Sequence, residues 1–245
     1  MSLSFAVETN DLKKSFGSTE IIHTCHMHVK EGTIYGFLGE NGAGKTTVFK
    51  MLAGIIRPTT GSIRIFGLDI ITQRTEVLKQ IGTLIETPVF YEHLSAVDNL
   101  KLHLSYMGAT GLDPQTVLNI VGLTDTGKRA VSRFSLGMRQ RLAIARAISH
   151  QPRLLILDEP INGLDPAGIK EMRELFSNLV QKNHMTILLS SHILSEMEQT
   201  ADTIGFITKG TLIEETPLSD LQEKYPAGLE KYFMEKREEH YDKII

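Results

Sequence analysis

Cysteine occurs once in these 245 residues, as Cys25, so no disulfide can close within the chain. A single thiol suits a reducing compartment. Nowhere does the sequence approach the ~18–20 uninterrupted apolar residues that a membrane-crossing helix requires. The opening "MSLSFAVETNDLKK" has no basic lead followed by an apolar run, so no secretory signal is expected. If this protein works at a membrane, another chain must cross it. Charge of one sign is missing as well. A net charge of −3 gives no global attraction to nucleic acid. No internal repeat is found, which implies one structural unit of each kind per chain.

What is present fits one large domain, or a domain with a sizeable insertion. The 41% hydrophobic content can fill a core, and the 22% charged residues can keep the rest in water. Short β-type runs come first ("SFAVET", "HTCHMHV", "TIYGFLG", "SIRIFG", "IGTLIE"), punctuated by Gly32, Gly61 and Gly67. From Tyr91 to about Ile148 the period becomes helical. Apolar runs of buried-strand type follow, "RLLILD", "MTILLS" and "TIGFIT", alternating with helices. One helix starts at "LDPAGIKEMRELFSNLV", with Ile169, Met172, Leu175, Phe176 and Leu179 on one face. A capped helix is expected at "TPLSDLQEKY", with Pro217 in its first turn. The mixed-charge end, "EKREEHYDKII", reads as a solvated helical tail.

"GENGAGKTT", Gly39 to Thr47, stands between a strand and a helix. That is the strand–loop–helix context of a P-loop. Gly39, Gly42 and Gly44 let the backbone wrap phosphates, and Glu40, Asn41, Ala43 and Thr47 complete the loop. Backbone amides and the helix start supply partial positive charge, and Lys45 adds a full one toward the β- and γ-phosphates. Thr46 can place its hydroxyl on Mg²⁺. The fixed positions arise by chance in about one such chain in a hundred, so the pattern is read as a nucleotide site.

"LLILDEP" is an apolar strand ending in two acids. Asp158 can reach the same magnesium, and Glu159 can deprotonate a water attacking the γ-phosphate. Asp165 reads locally as a helix N-cap before Pro166, a reading compatible with a functional role. His192 follows another strand, at the same edge as the P-loop if the sheet is parallel. On its own a lone histidine is more often structural than catalytic. A further helix start, "RFSLGMRQRLAIARA", offers Ser135 and the amides around Gly137 to an anion.

In this order and spacing the motifs resemble the ATP-binding subunit of ABC transporters, over roughly residues 3 to 215. The resemblance makes "GENGAGKTT" the Walker A loop, "LLILDE" the Walker B strand with its catalytic glutamate, and "NGLDP" the D-loop with Asp165. His192 becomes the switch histidine, and Phe16 in "LKKSFGS" the aromatic that stacks on adenine. "FSLGMRQR" stands for the family signature LSGGQRQR, with Ser135, Leu136, Gly137 and Met138 at its core. The implied fold class is α/β: a P-loop NTPase core with a mainly parallel sheet, an N-terminal antiparallel β region and an inserted helical subdomain. One ATPase domain would span 1–220, with the insertion at about 88–150 and a charged helical tail at 221–245.

The resemblance further implies ATP and Mg²⁺ as ligands, an integral-membrane permease, and a second ATPase subunit in a head-to-tail ATP sandwich. In that sandwich the signature acts in trans. The expected location is cytoplasmic, peripheral on the inner face of the cell membrane, with no nucleic-acid partner. Two departures stand out. Leu136 and Met138 replace Gly and Gln, putting two apolar side chains at the closing interface. Glu86, in "LIETPVFY", replaces a glutamine that touches magnesium and senses the permease. A carboxylate there could be an extra magnesium ligand beside Asp158 and Glu159, or could point away into solvent. "LIETPVFY" with "SLGMRQR" looks like the subfamily handling bacitracin and lantibiotic peptides.

Other readings carry less. In a regular strand His23 and Cys25 of "HTCHMH" would share one face and His26 and His28 the other, so at most two could meet on a metal. The arginines of "RQRLAIAR" read as a solvated face or a subunit contact. A soluble ABC ATPase working without a permease is the alternative class. Such proteins usually carry two ATP units or a long coiled coil, and this chain has neither. A nucleotide-gated binding module without turnover is a third, opposed by Glu159 and His192.

Overall fold

A computed structural model describes residues 4–108, 111–225 and 228–242. The chain opens with β1 (Phe5–Phe16) and β2 (Thr19–Lys30), then β3 (Ile34–Leu38) and α1 (Lys45–Leu52). Next come β4 (Thr60–Ile65), β5 (Leu68–Asp69), α2 (Arg74–Gln80) and β6 (Ile81–Leu84). Three helices follow without a strand between them: α3 (Ala96–Met107), α4 (Pro114–Ile120) and α5 (Leu136–Ile148). The rest is β7 (Leu154–Leu157), α6 (Pro166–Asn183), β8 (Thr186–Ser191), α7 (Leu194–Met197), β9 (Thr203–Thr208), β10 (Thr211–Pro217), α8 (Leu218–Lys224) and α9 (Glu230–Asp242).

The strands join in the order β5-β4-β1-β2-β10-β9-β3-β8-β7-β6. From β9 to β6 all neighbours are parallel, whereas β1, β2, β4 and β5 pair antiparallel. Burial explains the split. Every residue of β3, β7 and β8 is buried, as strands covered on both faces must be. One apolar layer lies with α1 and the antiparallel strands, centred on Phe37 and Phe49. The other joins the helical block, α6 and the C-terminal helices. This is the expected α/β class, with its parallel core, antiparallel N-terminal region and inserted helices. Among the described residues no helix is long and apolar enough to cross a membrane.

Three readings need correction. The tail helix is not simply solvated: α9 buries Tyr232 and Phe233, and the Phe233 ring meets Phe206 edge-on at 4.9 Å. Its polar sequence masks these two contacts. His23 and Cys25 do not share a face, because β2 carries an extra residue between Ile22 and Cys25 where β1 steps only from Lys14 to Leu12. Cys25 therefore points inward, and burial pushes its thiol up to about 12. His23, His26 and His28 pair separately with Glu20, Asp11 and Glu215. Finally, the arginines of α5 are internal clamps. Arg139 binds Glu92 through both oxygens at 2.6 and 2.7 Å, Arg141 binds Glu171 at 2.6 Å, and Arg146 donates to Val89 O at 2.9 Å.

Candidate nucleotide-binding and catalytic site

The loop between β3 and α1 turns tightly because two of its glycines have no alternative. A Cβ on Gly39 would stand 2.4 Å from Ile207 O, and one on Gly44 2.5 Å from Ile22 Cδ1. Gly44 also sits at φ 106°, a conformation side chains rarely adopt. It is the residue before α1, whose first amides are left free for an anion. Lys45 opens that helix and is buried, with 6% of its side chain exposed. Its ammonium donates to Gly39 O at 2.6 Å and Glu40 O at 3.2 Å, and lies 3.2 Å from Glu159 Oε1.

The acids come from the ends of the neighbouring strands. Asp158 extends β7 by one pairing, its N–H donating to Leu84 O at 2.7 Å. Thr46 Oγ1 donates to Asp158 Oδ2 at 2.7 Å. Ser190 at the end of β8 donates to Asp158 Oδ1 at 2.7 Å and accepts from the Glu159 N–H at 2.9 Å. That bracket holds Glu159 at φ 48°, left-handed backbone that costs a non-glycine residue about 1 kcal/mol. His192 Nδ1 lies 3.0 Å from Glu159 Oε2. Glu159 Oε1 is buried and accepts no aligned hydrogen bond, its neighbour being the Lys45 ammonium of the 3.2 Å ion pair. A hydroxyl and a carboxylate meeting at one point are hard oxygen donors suited to magnesium. Once Lys45 turns to a phosphate oxygen, Oε1 is an acceptor that can take a water proton. The residues present fit Mg²⁺ and a water beside it.

Lys45, Thr46, Asp158, Glu159 and His192 are thus brought together at the ends of adjacent parallel strands. Ser190 was not anticipated in the sequence, and neither was Lys50. The latter pairs with Glu86 Oε1 at 2.5 Å, and the Glu86 side chain remains 64% exposed. Among the described residues no three His, Cys, Asp or Glu side chains group around one metal position. Glu86 does not join Asp158 and Glu159 there. Phe16 closes β1 with its ring half-exposed and Lys14 Nζ 4.8 Å from its centre.

The signature stretch lies in a second cleft, of about 460 Å³, shared with the D-loop. Ser135 caps α5, its hydroxyl accepting from Met138 N at 3.3 Å. Asp165 caps α6, accepting from Gly168 N at 3.0 Å. Leu136 is exposed beside Gly163 and Met138 is partly buried against the helical core, so only Leu136 stands free as an apolar group.

A glycine loop wrapped before a helix, a buried lysine, and a strand-end carboxylate pair define a P-loop ATPase unit. Residues 22–162 match the family model described as ABC transporter. The chain is 51% identical over 221 residues to YcbN, an uncharacterized ABC transporter ATP-binding protein of Bacillus subtilis, covering 90% of this chain and 72% of that one. It is 46% identical to the bacitracin transport ATP-binding protein BcrA of Bacillus licheniformis, covering 98% of this chain and 81% of that one. The lantibiotic transport ATP-binding protein SrtF of Streptococcus pyogenes is also 46% identical, over 85% of this chain and 90% of its own. A solved ATP-binding subunit of an ABC transporter superposes with a TM-score of 0.81 at 28% identity, covering 96% of this chain and all of that one. The chain belongs to the ABC transporter family, as an ATP-binding and ATP-hydrolysing subunit.

Proposed function

We propose that this chain is the Mg²⁺-dependent ATPase of a transporter that removes antimicrobial peptides of the bacitracin or lantibiotic type. It works peripherally at the inner face of the cell membrane with a permease and a second ATPase subunit. The observation that carries the catalytic part is the Glu159 carboxylate, its Oε1 ion-paired with Lys45 and its Oε2 beside His192. The peptide class rests on the BcrA and SrtF names together with the "LIETPVFY" and "SLGMRQR" forms.

Lys45 and the loop amides of residues 39–47 hold the phosphates, and Phe16 stacks on the adenine. Thr46 and Asp158 would hold Mg²⁺, which when bound would supply charge neutralisation at the phosphate oxygens. Glu159 Oε1 accepts a proton from water as the water oxygen bonds to the γ-phosphorus. The bond from that phosphorus to the bridging oxygen breaks, and ADP leaves with the electron pair. His192 orients Glu159 and meets the γ-phosphate. Ser135 and Gly137 meet the γ-phosphate held by the second subunit, and Asp165 lies at the same seam. Val89, Tyr91 and Tyr106 are exposed and supply surface for a cytoplasmic helix of the permease. Glu86 would have to leave Lys50 before it could serve as a further ligand of that ion.

Phosphate release tests the chemistry. Glu159→Gln should bind Mg-ATP and turn over ~10²–10⁴-fold more slowly, the range for losing a general base. Lys45→Ala should lose binding. Undiminished turnover in Glu159→Gln removes the assigned base. Tolerance of the source cell tests the cargo, with nisin-like lantibiotics, bacitracin and an unrelated toxic compound compared in wild type and both variants. Selective loss for one peptide class is expected. Unchanged tolerance with normally expressed variants refutes the peptide assignment.

A further inference from the structure

An acid inside a loop that grips a polyanion is electrostatically misplaced. Glu40 is such an acid, immediately after Gly39, and its own carbonyl accepts from the Lys45 ammonium at 3.2 Å. Its carboxylate is paired with Arg237 Nη1, from α9, 197 residues further along the chain. The helix that brings Arg237 there is anchored elsewhere. Phe233 packs on Phe206, Tyr232 and Leu229 are buried, and Leu229 N–H donates to Glu198 Oε1 at 3.3 Å. Between α9 and the loop lies a cavity of about 370 Å³ lined in part by Leu38, Glu40, His192, Phe233 and Arg237.

We infer that Arg237 is a positioning residue for nucleotide binding, which neutralises Glu40 so that the phosphate loop meets ATP without an uncompensated negative charge. The C-terminal helix is the arm that delivers this guanidinium. The inference rests on the P-loop reading of residues 39–47, and it assigns to α9 a role in the nucleotide site. Arg237 acts through Glu40 and touches no reacting atom. The pair is partly exposed, so its influence is moderate and screened by salt.

The test uses the full chain, with Mg-ATP Kd read by displacement of a fluorescent ATP analogue and KM and kcat from phosphate release. Arg237→Ala should raise Kd and KM by roughly two- to fivefold, the scale of an exposed ion pair, with kcat unchanged. Arg237→Lys should recover most of the loss, and 0.5 M salt should shrink the difference between the variants. Adding Arg237→Ala to Glu40→Gln should change Kd no further, because the carboxylate it answers is gone. An equal Kd in Arg237→Ala and wild type overturns the inference. So does an Arg237→Ala penalty of the same size in the Glu40→Gln background, since α9 would then act by packing alone. Wild-type chain that fails to bind Mg-ATP overturns the nucleotide reading itself, and this inference with it.

Discussion

Lys45 donates to Gly39 O and Glu40 O and is ion-paired with the Glu159 carboxylate, partners that a phosphate would have to displace. The same exchange logic governs Glu86. Its 2.5 Å bond to Lys50 keeps its carboxylate outward, and φ 61° sets the backbone in a left-handed turn. Glu86→Gln removes the charge but keeps the shape, so it should leave the Mg-ATP Kd within about twofold while lowering turnover or its coupling to transport. Unchanged phosphate release and unchanged transport in that variant refute a role for the carboxylate. The grouping of Lys45, Thr46, Asp158 and Glu159 was legible in the sequence because each stands in a contiguous motif. Ser190 and Lys50 were not. The first acts on Asp158 from 32 residues away and the second on Glu86 from 36, and neither sits in a local pattern.

At the scale of elements, α5 links two surfaces. Its N-terminus presents Ser135 and Gly137, and its arginines grip the segment after Glu86 through Glu92 and Val89. A movement of that segment therefore pulls on the signature helix through three hydrogen bonds rather than through loose packing. The base of the helical block holds His103, Arg146 and His150. Burial, then the Arg146 charge, then His150 depress the His103 ring to about 4, and burial lowers His150 as well. Between pH 6.5 and 4 the unfolded chain binds protons that folded His103 refuses, so stability is full above about 6.5 and falls as pH drops toward 4. Since the ring is only half-buried, the loss should be roughly 1–2 kcal/mol. Urea midpoints at pH 7 and pH 4.5 check this: His103→Leu should show a smaller drop than wild type, and an equal drop refutes it. The helices and buried strands were legible by period and apolar runs. β10 was not, because all seven of its residues are half-buried and "TLIEETP" alternates in nothing. The contact of α9 was hidden for a related reason, with two aromatics carrying the docking of a charged helix.

At the scale of the molecule, the chain carries two halves of one chemistry in two separate clefts. The P-loop cleft has a lysine and a base but only the near side of a phosphate clamp. The signature cleft has Ser135, Gly137 and Asp165 around about 460 Å³, and among the described residues no glycine loop with a lysine lines it. In the head-to-tail pair proposed above, each half is completed by the other half of a second copy or a close relative. ATP held at the seam adds charge-assisted bonds from both chains, and hydrolysis removes them, so blocking hydrolysis should trap the pair. Glu159→Gln with Mg-ATP should therefore run in light scattering at twice the 27.3 kDa of one chain, and at 27.3 kDa without nucleotide. Adding Ser135→Glu to that variant sets a carboxylate against the partner's γ-phosphate and should return it to the mass of one chain while its own P-loop still binds ATP. In the proposed pair, exposed Leu136 would add to the association, because closure would bury an apolar side chain where the family pattern has none. Leu136→Gly in the trapped variant should loosen the dimer by the loss of that burial, up to roughly 2 kcal/mol. A Glu159→Gln chain that stays at 27.3 kDa under saturating Mg-ATP refutes the head-to-tail pair of identical subunits and directs the search to a different second subunit.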